Sequence, residues 1–293
     1  MGITMKKLKG LGTVVFCLTP FIVSFIIQNM VSFIAYAIIL WDVQLQNMRE
    51  GILETSIIKE RVIEVYYQNV GIVLFAYHVI GLLIFGVWYY FGFYKNKKTV
   101  GQSMKNKDIV FLGIFSIGFQ LLISGILSML LEWKPEWMNN YMELMDKAGF
   151  SSLEFFSMIA AVFIAPVGEE LIFRGITMEM AKKRGEKFWA ANVIQAMAFG
   201  LCHLNVVQGI YAFVLGLAIG YIKEAYGHIK ACILFHFLFN FLGTVVLGNI
   251  PDMGRWNLII YFAFTLLGAA ITLCVAGYFK ELKRRNKGVG VTI

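Results

Sequence analysis

The chain has 293 residues, of which 59% are hydrophobic and only 15% are charged, whereas about 25% of residues are charged in an average soluble domain. Together with a mean hydropathy of +0.71, this composition excludes a soluble globular protein. Lipid-exposed backbone must satisfy its hydrogen bonds internally, so we predict an all-α, polytopic transmembrane helix bundle that forms one integral membrane domain over residues 1–293. The net charge of +8 does not indicate nucleic-acid binding, because Lys and Arg cluster at the ends of apolar runs.

In chain order, the apolar runs predict about eight membrane spans. They cover residues 11–41, 69–94, 109–131, 153–181, 188–205, 209–226, 229–247 and 258–279. Pro20 and Asn29 are candidate kinks in the first span. The segment 42–68 is polar but carries apolar residues at roughly helical spacing, which predicts an amphipathic helix lying at the interface.

A second interfacial helix is predicted after the third span, where Trp133, Trp137 and Tyr141 recur at i, i+4 and i+8. The segment 249–257 contains proline and glycine and predicts a turn between the last two spans. Eight spans place both termini on one side of the membrane, and most of the 26 Lys and Arg residues fall on that side. We therefore predict cytoplasmic termini in a multi-pass protein of the cell membrane.

The fourth predicted span contains charges that are costly to bury. Glu169, Glu170 and Arg174 interrupt a run from Phe155 to Ala181 that is otherwise largely apolar. Each charge near the bilayer centre costs at least about 2.5–3.5 kcal/mol, so a specific role is expected for it. Glu170 and Arg174 stand at i and i+4 and are predicted to form an ion pair, whereas Glu169 points elsewhere and needs a group from another helix.

Two histidines in later spans are candidate partners for Glu169. His203 follows Phe199 in the spacing FxxxH, and His236 precedes Asn240 in the spacing HxxxN. Counted from the basic ends of the spans, Glu169 and His203 lie roughly 20 Å deep at 1.5 Å per residue, and His236 lies roughly 10–14 Å deep. This estimate places the three groups together, somewhat on the cytoplasmic side of the midplane.

The motifs EExxxR, FxxxH and HxxxN, in this order on three hydrophobic segments, resemble the CAAX protease and bacteriocin-processing family of intramembrane proteases, which is related to the type II CAAX prenyl endopeptidases. The resemblance covers about residues 155–247, and we expect the catalytic core within 153–248. It implies an intramembrane endopeptidase acting on peptide or protein substrates in or at the membrane. The roles that the family assigns to these motifs fall on four residues of this chain. By this resemblance, Glu169 and His203 would activate water, while His236 and Asn240 would hold the oxyanion.

The resemblance leaves two mechanisms open. We favour a metal-free glutamate mechanism with no cofactor, in which Glu169 in a poorly solvated site is the base. The alternative is a zinc ion held by Glu169, His203 and His236, which make up a His/His/Glu ligand set. Against zinc, the HExxH arrangement is missing, and Asn240 is a good hydrogen-bond donor but a poor zinc ligand.

A non-catalytic protein on the same fold is the alternative function, as a bacteriocin-immunity, scaffold or transport-like factor, because intramembrane charges also line transporters and bind helices together. The pair of Glu170 and Arg174 is predicted to be supporting structure. His78, in the second span, is predicted to be a packed and hydrogen-bonded histidine. A Cys/His nucleophile of Cys202 and His203 is disfavoured, because neighbours in sequence face different ways on a helix.

A proline lies beside the carboxylates. Pro166 is predicted to leave the carbonyl of residue 162 without a donor and, with Gly168, to bend the helix so that water can reach Glu169.

Overall fold

The structure, a computed structural model, describes residues 12–51, 54–95, 103–150, 152–246 and 257–288. These residues are helical throughout, apart from short turns, which confirms the all-α class. Residues 249–256 of the predicted turn and the first lysines of the chain lie outside the described residues, whereas residue 257 begins the last helix. In chain order the helices are α1 (Thr19–Glu50), α2 (Thr55–Gln68), α3 (Val70–Tyr94), α4 (Asn106–Trp133), α5 (Pro135–Lys147), α6 (Phe155–Lys183), α7 (Phe188–Leu201), α8 (Val206–Tyr226), α9 (Lys230–Val246) and α10 (Asn257–Gly288).

Six of these helices, namely α1, α3, α4, α6, α8 and α10, are long and apolar enough to cross a membrane. The shorter apolar helices α7 and α9 bring the total to the eight apolar segments that the sequence predicts. The chain is therefore a multi-pass integral membrane protein. The remaining helices, α2 and α5, lie within the two regions where interfacial helices are predicted.

The predicted end of the first span, at Trp41, is nine residues too early for the helix, because α1 continues to Glu50. No helix breaker occurs before Gly51, whose backbone lies in the left-handed region at φ 72° and caps the helix. The predicted interfacial helix 42–68 is consequently divided, and only Thr55–Gln68 forms α2. The first span is interrupted at Leu18, close to the predicted kink at Pro20: residues 12–17 are helical, and α1 begins at Thr19 with Pro20 in its first turn, where a missing N–H is tolerated.

Helices α4 and α10 approach each other closely along their length. A Cβ atom at Gly125 would lie 2.7 Å from the carbonyl oxygen of Tyr261, and one at Gly268 would lie 2.6 Å from the carbonyl oxygen of Gly118. Such small residues let two helix backbones meet where lipid supplies no hydrophobic drive for association. This pair forms one wall of the bundle, against which α8 and α9 pack.

The ends of the helices that carry Lys and Arg meet at one end of the bundle, which we call the basic end. Here Glu224 of α8 binds Lys182 of α6 at 2.8 Å and Lys283 of α10 at 3.6 Å. The buried Lys223 pairs with Glu179, also of α6. Large apolar side chains fill the space beneath these pairs, including Met178, Ile219, Ile222, Tyr226 and Phe279, all of them buried. The basic end is thus tightly packed.

We predict that the basic end faces the cytoplasm. Reporter fusions after Lys183 and Lys287 should report a cytoplasmic location, and a fusion after Asn140, in α5, should report the outside. The fusions are read with a pair of enzymes, one active only in the cytoplasm and one active only outside it. An external signal after Lys183 would reverse the orientation.

Candidate active site

Helix α6 positions the carboxylates through two π-helical segments, Ala160–Ile164 and Leu171–Thr177, on either side of Ala165–Glu170. In the first of them the N–H of Ala165 donates to the carbonyl of Ala160, five residues earlier. Such π segments are rare and often occur at functional sites. They change the faces of α6 on which successive side chains project.

The first π segment also accommodates Pro166. In this register the N–H that proline lacks would have met the carbonyl of Ala161, and not that of residue 162 as the α-helical spacing predicted. Asn240 of α9 supplies the replacement, because its Nδ2 atom donates to the Ala161 oxygen at 2.8 Å. The amide of Asn240 is therefore held in place by one N–H, which leaves its second N–H to donate elsewhere.

Glu170 is fully buried and binds two partners through a single oxygen. Its Oε1 atom lies 2.8 Å from Nη1 of Arg174 and 2.8 Å from Nδ1 of His236. The pair with Arg174 agrees with the i,i+4 spacing, but the contact with His236 was not predicted. Arg174 is also fully buried, and its Nη2 atom donates to the carbonyl of Gly216 in α8 at 3.2 Å. One carboxylate thus ties α6 to α9 directly and to α8 through the guanidinium.

Glu169 projects to a different side, as predicted, and approaches the same imidazole. Its Oε2 atom lies 3.5 Å from Nε2 of His236, so the ring lies between the two carboxylates. The exposed fractions of the two side chains differ, at 20% for Glu169 and 0% for Glu170. Only the first carboxylate can therefore meet water or a substrate in this arrangement.

His203 lies in the turn that follows α7 and is oriented by the backbone. Its Nδ1 atom is 2.8 Å from the carbonyl oxygen of Phe199. A carbonyl oxygen can only accept, so Nδ1 carries the proton and Nε2 of the neutral ring is an acceptor. The ring of Phe199 contacts both histidines, with 5.1 Å between its centroid and that of the His203 ring and 5.6 Å to that of the His236 ring. The Cζ atom of Arg174 lies 4.6 Å from the same centroid. Phe199 therefore holds the site together through both its carbonyl and its ring.

All four residues predicted to be catalytic line one cavity of about 290 Å³, namely Glu169, His203, His236 and Asn240. Their helices contribute these groups from three sides: α6 the carboxylate, the α7–α8 turn one histidine, and α9 the other histidine and the amide. The supporting pair of Glu170 and Arg174 lies behind the cavity wall. The cavity therefore has hydrogen-bonding groups for both a water molecule and a peptide carbonyl.

Two further side chains face this cavity against expectation. His78 was predicted to be packed and hydrogen-bonded, but it lies on the cavity wall, and no hydrogen bond to its ring occurs among the described residues. Cys202 shares the cavity with its neighbour His203 because α7 ends at Leu201 and both residues lie in the turn. Its thiol donates to the Phe199 carbonyl at 3.0 Å. No periodicity in the sequence marks either position.

The described side chains do not form a ready-made metal cluster. No three His, Cys, Asp or Glu side chains in that part of the chain are arranged to hold a metal ion. Glu169, His203 and His236 share the cavity without forming such a cluster. Nδ1 of His203 is bound to the Phe199 carbonyl and Nδ1 of His236 to Glu170, which leaves Nε2 of each ring as the atom that faces a ligand.

Residues 151–242 match the family model described as Rce1-like, the type II CAAX prenyl endopeptidases. The matched residues extend from the start of α6 into α9 and contain all six predicted site residues. No curated protein and no solved structure matches the chain. The molecule is a multi-pass membrane protein, and this match associates it with proteases. Its domain over 151–242, about a third of the chain, is Rce1-like and consistent with the CAAX protease and bacteriocin-processing family.

We predict that the Glu170 cluster is essential for folding. Glu170→Gln and Arg174→Ala each leave a buried charge without its partner, which costs roughly 3–5 kcal/mol. Both variants should accumulate poorly in the membrane and unfold at lower temperature. Accumulation is measured by immunoblot, and the midpoint of thermal unfolding is measured in detergent.

The matched control for this prediction is Glu143→Gln in α5. Glu143 and Lys147 form a pair with the same i,i+4 spacing at 2.5 Å, but both side chains are exposed. Exposed pairs contribute little to stability, so this variant should accumulate like the wild type. Equal accumulation of the Glu170, Arg174 and Glu143 variants would show that the buried cluster is dispensable for folding.

Proposed function

We propose that this protein is an intramembrane endopeptidase that hydrolyses peptide bonds of membrane-associated polypeptides. The observation that carries the proposal is the convergence of Glu169, His203, His236 and Asn240 on one cavity. Peptide hydrolysis needs a base for water, donors for the oxyanion and a proton for the leaving amine. These four side chains supply each of these functions.

Activation of water is assigned to Glu169 and His203. Because Nδ1 of His203 donates to the Phe199 carbonyl, its Nε2 atom can accept one hydrogen of a water and orient it. Glu169 takes the other proton as the water oxygen attacks the carbonyl carbon of the substrate. Its partial exposure to the cavity supports this role, whereas the sealed Glu170 has no access to water.

Stabilisation of the oxyanion is assigned to His236 and Asn240. The free N–H of the Asn240 amide and the Nε2–H of His236 would donate to the tetrahedral oxygen. Nδ1 of His236 carries a proton toward the Glu170 carboxylate, so the ring donates from Nε2 as an imidazolium, whose charge lies between the carboxylates of Glu170 and Glu169. Both groups are held in place beforehand, His236 by Glu170 and Asn240 by Ala161, so little reorganisation is needed at the moment of reaction. Collapse of the intermediate breaks the C–N bond, and the proton on Glu169 passes to the leaving amine. Atoms and charges then balance without a co-reactant.

The first experiment tests the catalytic base. Glu169→Gln keeps the size of the side chain but removes the base, so cleavage should fall by at least about 10³-fold while accumulation stays near the wild-type level. A fluorogenic peptide in detergent or nanodiscs measures activity, and thermal unfolding measures the fold. Glu169→Asp keeps a carboxylate and should retain partial activity.

The contrasting result for this experiment would be a folded Glu169→Gln protein that cleaves at the wild-type rate. That outcome would exclude Glu169 as the base, whereas the absence of any cleavage by the wild type would favour a non-catalytic membrane factor. An inactive but stable Glu170 variant, beside an active Glu169 variant, would exchange the roles of the two carboxylates.

We also propose that the reaction is metal-free. The protein purified without chelator should contain less than stoichiometric zinc by plasma mass spectrometry, and its activity should survive exhaustive chelation. Stoichiometric zinc, with activity lost on removal and restored on addition, would instead make Glu169, His203 and His236 ligands. The Glu169→Gln protein is the control, because its metal content would then also fall.

A further inference from the structure

A second cavity lies between α4, α8 and α10 and shares no lining residue with the active-site cavity. It encloses about 480 Å³, and its walls are mainly apolar. Along α10 it extends from Thr272 to Lys280, which is about 12 Å at 1.5 Å per residue. This length fits within one leaflet, because half of the hydrocarbon core of a bilayer is about 15 Å. The residues that line it include Phe115, Phe119, Leu217, Ala218, Thr272 and Ala276.

A pocket of about 400 Å³ continues this cavity at the basic end. The two share Tyr221, Gly277 and Lys280, so they form one continuous depression, which we call the α8–α10 groove. Gly277 keeps the junction of the two parts open. A Cβ atom at this position would meet no other atom within 4 Å, so the absent side chain leaves space there.

The part of the groove at the basic end is cationic. Lys280, Lys283 and Arg284 line it, and they share one face of α10 because they stand at i, i+3 and i+4. Glu281 is the one carboxylate among the described side chains of this lining, and it already pairs with Arg284 and Arg285 at 3.1 Å. The side chain of Lys280 is exposed and takes part in none of the ion pairs that the described residues form. Positive charge therefore exceeds negative charge at this end of the groove.

Aromatic rings place the cationic part at the level of the lipid headgroups. Trp189, exposed in the first turn of α7, stacks on Tyr221 of α8 with 6.1 Å between the ring centroids. The Nζ atom of Lys283 lies 5.1 Å from the same Tyr221 centroid. Tryptophan and tyrosine favour the boundary between hydrocarbon and water. Lys280 is also the first charged residue after the uncharged run of residues 258–279, so the apolar part of the groove lies within the hydrocarbon.

From this arrangement we infer that the α8–α10 groove binds an anionic phospholipid. Its phosphate would lie at Lys280, Lys283 and Arg284, and an acyl chain would fill the apolar part. The two parts of the groove match the two parts of such a lipid, in the order and at the depth in which a leaflet presents them. Basic pockets between membrane helices are known to bind anionic headgroups.

Other occupants match the groove less well. A soluble anion would leave the apolar part unfilled, and a zwitterionic lipid would bring a further cation to the three that line the pocket. The inference is independent of the proposed protease function, because the groove is separate from the active-site cavity. It is also independent of the side of the membrane that the basic end faces.

Titration with lipid tests the site. The purified full-length protein in detergent is titrated with phosphatidylglycerol, which is anionic, or with phosphatidylcholine of the same acyl chains, which is zwitterionic. Native mass spectrometry counts the bound lipid, and the wild type should bind phosphatidylglycerol at least tenfold more tightly. Inorganic phosphate and glycerol 3-phosphate should not raise the midpoint of thermal unfolding, whereas phosphatidylglycerol should. Equal affinity for the two lipids, or equal stabilisation by the soluble phosphates, would overturn the inference.

A charge variant locates the headgroup. Lys280→Gln should lower the affinity for phosphatidylglycerol about fivefold, because each basic residue near an anionic surface contributes about that factor. Its affinity for phosphatidylcholine should not change. The matched control is Lys95→Gln, an exposed lysine at the same end of α3, which should stay within twofold of the wild type. Arg284→Gln repeats the test on a second exposed residue of the groove. Equal effects of the Lys280 and Lys95 variants would show general attraction by charge and no site.

A variant that fills the groove locates the acyl chain. Gly277→Leu places a side chain at the junction of the two parts and should lower phosphatidylglycerol binding at least tenfold, while leucine, a stronger helix former than glycine, preserves α10. Gly86→Leu in α3 is the matched control, because a Cβ atom there also meets no atom within 4 Å and the residue lines neither part. Undiminished lipid binding by a folded Gly277→Leu protein would overturn the inference. Loss of an oligomer without loss of lipid would instead make the groove an interface between copies of the chain.

Discussion

The arrangement of the site depends on one buried carboxylate oxygen. Oε1 of Glu170 accepts from the guanidinium of Arg174 and faces Nδ1 of His236, and Arg174 in turn donates to the backbone of α8. Within a membrane such charges are stable only when each meets its partner, so the three helices have little freedom to shift relative to one another. The cluster fixes the imidazole of His236, and this places its second nitrogen beside Glu169.

The two adjacent glutamates therefore have separate roles that follow from their surroundings. Glu170 is enclosed and compensated by Arg174, which makes it a structural charge. Glu169 lies one residue earlier, on the cavity side, where it is partly exposed. Two identical side chains that are adjacent in sequence thus have different surroundings. Glu170 orients His236, and Glu169 faces the cavity. Each of the two costly carboxylates thus has its own surroundings, one behind the cavity wall and one on it.

The sequence predicted the helical class, the eight apolar segments and the membrane location, all of which the structure confirms. These features depend on local hydrophobicity, which a single sequence displays directly. It also indicated six polar residues that the structure gathers around one cavity, although their catalytic roles stay predictions. The contact between Glu170 and His236 was missed because the i,i+4 pair already accounted for that charge. The presence of Cys202 on the cavity wall, in the same turn as the predicted His203, was missed because the end of α7 at Leu201 is not marked by a proline or a charge.

The short length of α7 has a further consequence for the surrounding lipid. A hydrophobic helix that is several ångströms shorter than the bilayer is accommodated by local thinning of the membrane, at a cost of a fraction of a kcal/mol per ångström. Trp189, exposed in the first turn of α7, is suited to the headgroup level at one boundary of this thinner region. A membrane segment next to α7 would have less hydrocarbon around it, so its backbone amides would be hydrated at lower cost. For the proposed protease, the bilayer itself would thus assist the unwinding that a helical segment must undergo before one of its peptide bonds can be cut.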